Sequence, residues 1–547
     1  MRKAMAVLTI GVLLAVAACS DDGDGKAATG PTEQVANKKD TTTTEPKDVT
    51  NAAALAMKGS KEIDPSPDDP LLPGAVRKTY EVGPIEVKPG QNNISYQGGQ
   101  VPKPEESGWI LRMAPNIRRE DGTVPPVDVI HLHHGVWLNM SRKDMTRPGL
   151  PERFMAAGEE KTVFTAPDGY GYRFEKTDKW LINYMLHNLW PKGEKIWITY
   201  TLDFIPDTAP QATDIQAATP LWMDVENGST YPVFDVLKGT GEDGRFTYPD
   251  DADEPYGDDP PDNRFTVPAD GTLVATGGHL HPGGIQTDLW VERSGAAGSA
   301  DVTTKEGRDD TAHLFTSVAK YYEPAGAVSW DVSMFVTPGD YGVALKKGDV
   351  LETTATYDSE RASWYESMGI MLSWFVPGGS GGDDPFATPV DVKGVLTHGH
   401  LAENDNHGGA PNPKDYSDLT DLPSVPAPEV VPIENFVYAR GDMSVANSVP
   451  TVKAGGTITF DNSIDAPLEN GIWHTITSCK APCNRSTGIA YPLADGDPVF
   501  DSGELGEKGP PTAGRLTWTT PSDLPDGTYT YFCRIHPFMR GAFRVDG

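Results

Sequence analysis

Proline and glycine interrupt this chain at short intervals, 48 and 57 times in 547 residues. Long helices do not survive that spacing. Proline removes a helix hydrogen bond, and glycine adds backbone entropy to the cost of ordering. Short strands joined by turns do survive it, so the pattern suits several β-rich domains better than a helical bundle. The strands are plainest near the C-terminus, in Thr457-Ile-Thr-Phe460, Trp473-His-Thr-Ile-Thr477, Arg515-Leu-Thr-Trp518 and Thr528-Tyr-Thr-Tyr-Phe532. Turn sequences such as Ala454-Gly-Gly and Pro525-Asp-Gly divide them. Several short strands at that spacing predict a β-sandwich.

The last of those strands runs into Tyr531-Phe-Cys-Arg-Ile-His-Pro-Phe-Met539. Thiolate, imidazole and thioether recur there at three-residue steps. One short loop can therefore fold Cys533, His536 and Met539 round one metal. His474, from an earlier strand, supplies a second imidazole. Two His, one Cys and a weak Met make the ligand set of blue copper. Zinc more often recruits a second cysteine or a third histidine. Residues 431–547 resemble the cupredoxins, most of all the short-loop amicyanin, plastocyanin and pseudoazurin branch. The resemblance implies a Greek-key β-sandwich, type 1 copper at His474, Cys533, His536 and Met539, and single-electron transfer. An insert from Cys479 to Pro492 departs from that branch.

The other cysteines agree with an exported chain. Arg2 and Lys3 precede an apolar run from Ala4 to Ala18, which ends Val16-Ala17-Ala18-Cys19. That reads as a secretory signal and resembles a bacterial lipobox. The resemblance implies cleavage before Cys19 and lipid attachment there. Residues 20–75 are rich in Asp, Gly, Thr, Lys and Ala, and read as a tether. Cys479 and Cys483 stand close together. A small-loop disulfide is the first reading for them in an oxidising compartment, and a pair of free thiols the second. Cys533 is then left without a partner, which a metal explains. The net charge of -32 excludes nucleic acid as a partner, since phosphates would be repelled.

Residues 76–410 hold ten of the 12 histidines outside the cupredoxin segment. In Ile130-His-Leu-His-His-Gly135, Gly278-His-Leu-His-Pro282 and Thr397-His-Gly-His400, imidazoles stand two residues apart. On a strand, residues i and i+2 share a face about 7 Å apart, so both can reach one metal. His131 with His133, His279 with His281, and His398 with His400 fit this. His134 faces the other way unless a bulge re-aims it. His313 stands alone and reads as structural, while His407 follows the third pair closely.

Val127-Asp-Val-Ile-His-Leu-His-His134, followed by Ile182-Asn-Tyr-Met-Leu-His187, resembles the copper type II monooxygenases, the peptidylglycine α-hydroxylating and dopamine β-monooxygenases. The resemblance implies one copper at His133, His134 and His187. It implies another at His279, His281 and Met368, with Met371 as the alternative thioether. Ala157-Gly-Glu-Glu, Tyr170-Gly-Tyr-Arg-Phe and Asp178-Lys-Trp-Leu-Ile-Asn also resemble the plant stress-upregulated nodulin family. Two jelly-roll-like β-sandwiches packed together are the implied fold. The monooxygenases are rich in disulfides, yet this chain has no cysteine between residues 20 and 478.

The expected organisation is all-β. It comprises a signal peptide (1–18), a tether (19–75), two monooxygenase-like sandwiches (76–212 and 213–378), a Gly/Pro/Asp-rich linker with a His-rich loop (379–430) and a cupredoxin domain (431–547). The expected function is an exported, lipid-anchored copper redox protein. Its cupredoxin would exchange electrons with a redox partner protein or small reductant, and with a dicopper monooxygenase-like centre in the middle. The alternative is a non-enzymatic electron relay or copper-sequestering lipoprotein whose middle domains are a scaffold. No catalytic residue is assigned from the sequence.

Overall fold

A computed structural model describes residues 63–97, 101–127, 129–189, 192–226, 232–253, 255, 263–296, 299, 301–322, 330–397, 419–442, 446–467, 471–481, 483, 498–509 and 512–547. The described residues are all-β, with two short 3-10 turns and no α-helix. None of their helices is long and apolar enough to cross a membrane. Cys19, His398, His400 and His407 lie outside them.

The first sandwich pairs a six-stranded sheet with a four-stranded one. The six-stranded sheet carries Val76–Val87, Glu194–Pro206, Gly108–Arg119 and Tyr170–Phe174 in that order. The four-stranded sheet runs Asn92–Gln97, Trp180–Asn188, Ile130–Lys143, Pro151–Gly158. Burial follows the sequence pattern. Val76–Val87 alternates, burying Tyr80, Val82 and Val87, as an edge strand with one wet face does. Ile130 to Gly135 is buried without a break, so its histidines face protein on both sides.

The second sandwich is built from one eleven-stranded sheet. Gly271–Leu280 is central to it, paired along Gly369–Pro377. Leu221, Leu273, Leu289, Leu351 and Phe375 fill one core. Another buried cluster crosses the boundary between sandwiches, joining Trp137 and Phe154 to Trp222, Trp364 and Met368. The first two sandwiches therefore share apolar core, and their histidine strands meet inside it.

The cupredoxin-like sandwich sets a five-stranded sheet against a four-stranded one. Parallel pairings, such as Val449–Lys453 with Arg540–Asp546, give it mixed topology. Two stretches inside the expected linker are strands. Val395–Thr397 pairs with Val332–Val336 of the second sandwich, and Ser424–Pro426 pairs with Val449–Lys453. Phe386 is also buried, under the Arg293 guanidinium. Composition registers the Gly and Pro of this segment, but apolar residues such as Leu396 and Phe386 decide where it docks.

Candidate metal centres

Cys533 leaves the end of strand Gly527–Phe532. The loop closes on itself through Cys533 N–H to Met539 carbonyl (3.1 Å) and Met539 N–H to His536 carbonyl (2.8 Å). His474 and His536 each point Nδ1 at the Cys533 sulfur, 3.7 Å away, and the two Nδ1 atoms are 3.2 Å apart. A point in the plane of the three atoms lies about 2 Å from each, close to ordinary metal–imidazole and metal–thiolate bond lengths. Met539 is buried beside them. The outer ring nitrogens are tied down. His474 Nε2 donates to Asp465 Oδ2 (3.0 Å) and His536 Nε2 to the Gly90 carbonyl (3.2 Å). Outer partners of this kind fix the tautomer and aim the other nitrogen at a metal. Backbone N–H groups of Thr475 and His536 lie 3.4 Å from the sulfur. Burial alone would raise the Cys533 thiol, but hydrogen bonds and charge from His474 and His536 outweigh it and hold the thiol at about 5. Cys479 and Cys483 are disulfide-bonded, which leaves Cys533 as the free cysteine among the described residues.

His536 is nearly fully buried against the first sandwich rather than opening to solvent. Gly90 (φ 58°) allows this contact, since a Cβ there would strike the Phe436 ring and stand 3.0 Å from His536 Nε2. The outer edge of the His536 ring thus faces the first sandwich, with the His187 ring 6.5 Å away.

Those histidines gather between the two middle sandwiches. His131 and His187 are direct partners across neighbouring strands, with rings 4.9 Å apart. A register shift between Leu132 and His134 re-aims the run that follows. His133 then stands 5.8 Å from His187 and 4.3 Å from His281 of the second sandwich. His279 and His281 are 5.0 Å apart, the same separation as His474 and His536. Glu159 joins His279 and His281, with ligand atoms within 4.8 Å of one another. His134 interacts with His279, and both line one cavity with Met368.

The sequence-derived groupings therefore meet the structure unevenly. His133 and His187 come together, with His131 as the third imidazole beside them and His134 turned toward His279. His279 and His281 come together, with Glu159 as the carboxylate beside them. Met368 is buried on the cavity wall, and the Met371 sulfur accepts from the Thr287 hydroxyl (3.1 Å). His313 packs on Trp290 and approaches Asp288, a structural setting.

These imidazoles are prepared as ligands. His131 Nδ1 donates to the Val127 carbonyl (2.6 Å), His279 Nδ1 to Glu160 (2.9 Å) and His281 Nδ1 to the Glu366 carbonyl. The Nε2 atoms of all three are buried without a hydrogen-bond partner among the described residues, as are His187 Nδ1 and both Glu159 oxygens. Leaving such an atom dry costs about 1–3 kcal/mol, so a cluster of them calls for a cation or ordered water. Burial lowers His131 and His134 to about 3 and takes His133, His187 and His281 well below their ordinary value. Neutral imidazole is the form that binds metal. Burial, with Glu160 beside it, raises the Glu159 carboxyl well above the usual range. Among the described residues, Glu159, His279 and His281 bring their ligand atoms together as a set that could hold one metal ion.

Gly158 makes room for this packing. A Cβ there would lie 2.5 Å from His279 Cε1 and 2.7 Å from the His133 carbonyl. Gly158→Ala is expected to displace His279 and lower metal occupancy between the sandwiches while leaving the Cys533 centre loaded. Metal analysis with a visible spectrum checks this, and unchanged occupancy contradicts it.

A cavity of about 290 Å³ opens beside His134, His279 and Met368, with Val136, Leu138, Trp222 and Ile370 among its mostly apolar walls. Asp224 shares it. Burial raises the Asp224 carboxyl to about 7, although the Trp222 indole donates to it. A raised acid in the folded state destabilises only when ionised. The penalty is absent below about pH 4 and grows to at most about 4 kcal/mol as pH rises through 7. Asp224→Asn should therefore flatten the fall in melting temperature between pH 4 and 8. An unchanged pH profile would contradict the assignment.

No protein-family model matches this chain, and no curated protein does. Solved structures offer remote likenesses. The copper-containing nitrite reductase (NirK) of Thermus scotoductus SA-01 aligns over 50% of this chain at 14% identity and a TM-score of 0.17. The alignment spans about half of that reductase, 55% of its chain. The infectious bursal disease virus VP2 subviral particle aligns over 63% of this chain and 82% of its own, at 12% identity and a TM-score of 0.16. Scores this low carry no argument about function, which rests on the residues.

Proposed function

We propose that this chain is an exported, lipid-anchored copper redox protein. Its cupredoxin-like domain passes single electrons to the histidine centre between the two sandwiches, and that centre oxidises a small apolar substrate with O2. One observation carries the reading. His187 stands inside the histidine centre, and its Nε2 donates to the carbonyl of Ile535 (3.2 Å). Ile535 lies two residues from Cys533 and next to His536, whose ring is 6.5 Å from that of His187. A continuous bonded and hydrogen-bonded route thus joins the Cys533 loop to the centre.

Copper at His474, Cys533, His536 and Met539 supplies reversible one-electron chemistry without a change of ligands. Placing one atom of O2 in a C–H bond and releasing the other as water takes two electrons and two protons. The electrons arrive singly from a redox partner protein or small reductant. The mostly apolar walls of the cavity at His134 and His279 favour a neutral, largely apolar molecule. Cys19, through its lipid, tethers the chain outside the cytoplasm.

Copper analysis with a visible spectrum tests the proposal. Intense blue colour and more than one copper per chain are expected. A single copper confined to the Cys533 centre would leave a simple electron relay.

A further inference from the structure

The monooxygenase resemblance places a thioether, Met368, beside His279 and His281. The packing offers a carboxylate. Strand Pro151–Gly158 of the first sandwich ends in a tight turn. The Lys161 N–H closes it by donating to the Gly158 carbonyl (3.0 Å), with Lys161 in the left-handed region (φ 45°). That turn carries Glu159 and Glu160 into the protein, where they are 2% and 1% exposed. Acidic side chains are almost never buried so deeply unless paired or bound to a metal. Glu160 is paired. One of its oxygens accepts from the Gly158 N–H (2.9 Å) and the other from His279 Nδ1 (2.9 Å). Glu159 differs, since neither of its oxygens has a hydrogen-bond partner among the described residues. It meets the second sandwich instead. A Glu159 oxygen and a ring nitrogen each of His279 and His281 all lie within 4.8 Å of one another.

We propose that Glu159 is the third ligand of one metal ion held with His279 and His281, so that the ion joins the two sandwiches. This rests on the copper reading above and changes the donor set of its middle site. The two neighbouring glutamates divide the work. Glu160 fixes the His279 ring from outside, and Glu159 binds the ion. His281 Nδ1 is likewise taken, by the Glu366 carbonyl, and the Nε2 atoms of both rings are buried without a hydrogen-bond partner among the described residues.

The donor set bears on the chemistry. A thioether is soft and favours Cu(I), whereas a carboxylate is hard and anionic and favours the higher charge of Cu(II). Two imidazoles and one carboxylate leave positions open at the ion, as oxygen activation requires. His279 also lines the apolar cavity, so one ligand of the ion borders the substrate space. Met368 packs within the apolar core that the sandwiches share, a setting that explains a thioether without a metal.

Glu159→Gln and Met368→Leu, compared in the copper-loaded full-length protein by metal analysis and electron paramagnetic resonance, test the inference. Each replacement is close in shape to the original, and the blue band of the Cys533 centre reports folding. The unmodified protein should hold two copper ions, one blue and one with an ordinary tetragonal signal. Outer partners of metal ligands are worth about 10–100-fold in affinity, so Glu159→Gln should weaken the tetragonal site at least as much. Met368→Leu should leave both signals and the copper count unchanged. A Glu159→Gln protein that keeps the tetragonal signal would overturn the proposal and leave the copper reading intact. A second ion that is not copper, released by Glu159→Gln, would keep the ligand set and overturn the copper reading. One copper and no other metal per chain would overturn both. Should Glu159→Gln fail to fold, pulsed resonance on the unmodified protein decides. Two imidazoles coupled to the tetragonal copper are expected, and three would overturn the proposal.

Discussion

Cys533→Ser should abolish the intense visible band of the copper-loaded protein while copper remains between the sandwiches. The band needs a thiolate bound to copper, and Cys533 is the free cysteine among the described residues. A serine hydroxyl stays protonated at neutral pH and offers a hard oxygen in place of a soft sulfur. The pocket is otherwise kept, because His474 and His536 are held from outside by Asp465 and Gly90. The histidine centre draws no ligand from the cupredoxin-like domain, so its copper should persist. Electron entry from a one-electron donor should fall to background with the band. A variant that stays blue, or that loses all its copper, would contradict the assignment.

The second large effect is on stability. Stripping the metal should lower the melting temperature by many degrees, more than loss of any one surface contact could. A ligand bound only by the folded state stabilises it by about 4 kcal/mol at a thousandfold excess over its dissociation constant. Two or three ions multiply that figure. Without them, buried nitrogens of His131, His187, His279 and His281 and the Glu159 carboxylate stay unsatisfied. Calorimetry of stripped and copper-loaded protein reads the difference. Replacing His279 and His281 together by Ala should remove the share of the shift that belongs to the histidine centre and keep the share that belongs to Cys533. Equal melting temperatures with and without copper would mean that these sites hold no tightly bound metal.

The all-β fold was legible because short alternating strands and turn residues act locally. The convergence of Cys533 and His536 was legible for a similar reason, since three-residue steps in one loop leave few ways to fold. His474 needed only a neighbouring strand. The middle centre was harder. The spacing of His131 and His133 placed both on one face, but the family pattern favoured the adjacent pair His133 and His134. Strand register adds what spacing could not give, because His131 pairs directly with His187 and His134, after the bulge at Leu132, interacts with His279. Glu159 lies about 120 residues from its partners His279 and His281, and no local spacing links them. Its signal was Gly158-Glu-Glu-Lys161, a charged run directly after a buried strand. The inward turn of His536 was equally illegible, since it depends on the Gly90 carbonyl some 450 residues earlier.

Stopped-flow mixing of the fully reduced, copper-loaded protein with O2, followed at the blue band, tests the central claim most directly. The account predicts rapid return of the band in the unmodified chain, as electrons leave the Cys533 centre through His187 to the histidine centre. In the His279→Ala/His281→Ala variant, whose own blue spectrum should be unaltered, the return should be far slower. Equal rates in the two proteins would contradict electron passage between the centres.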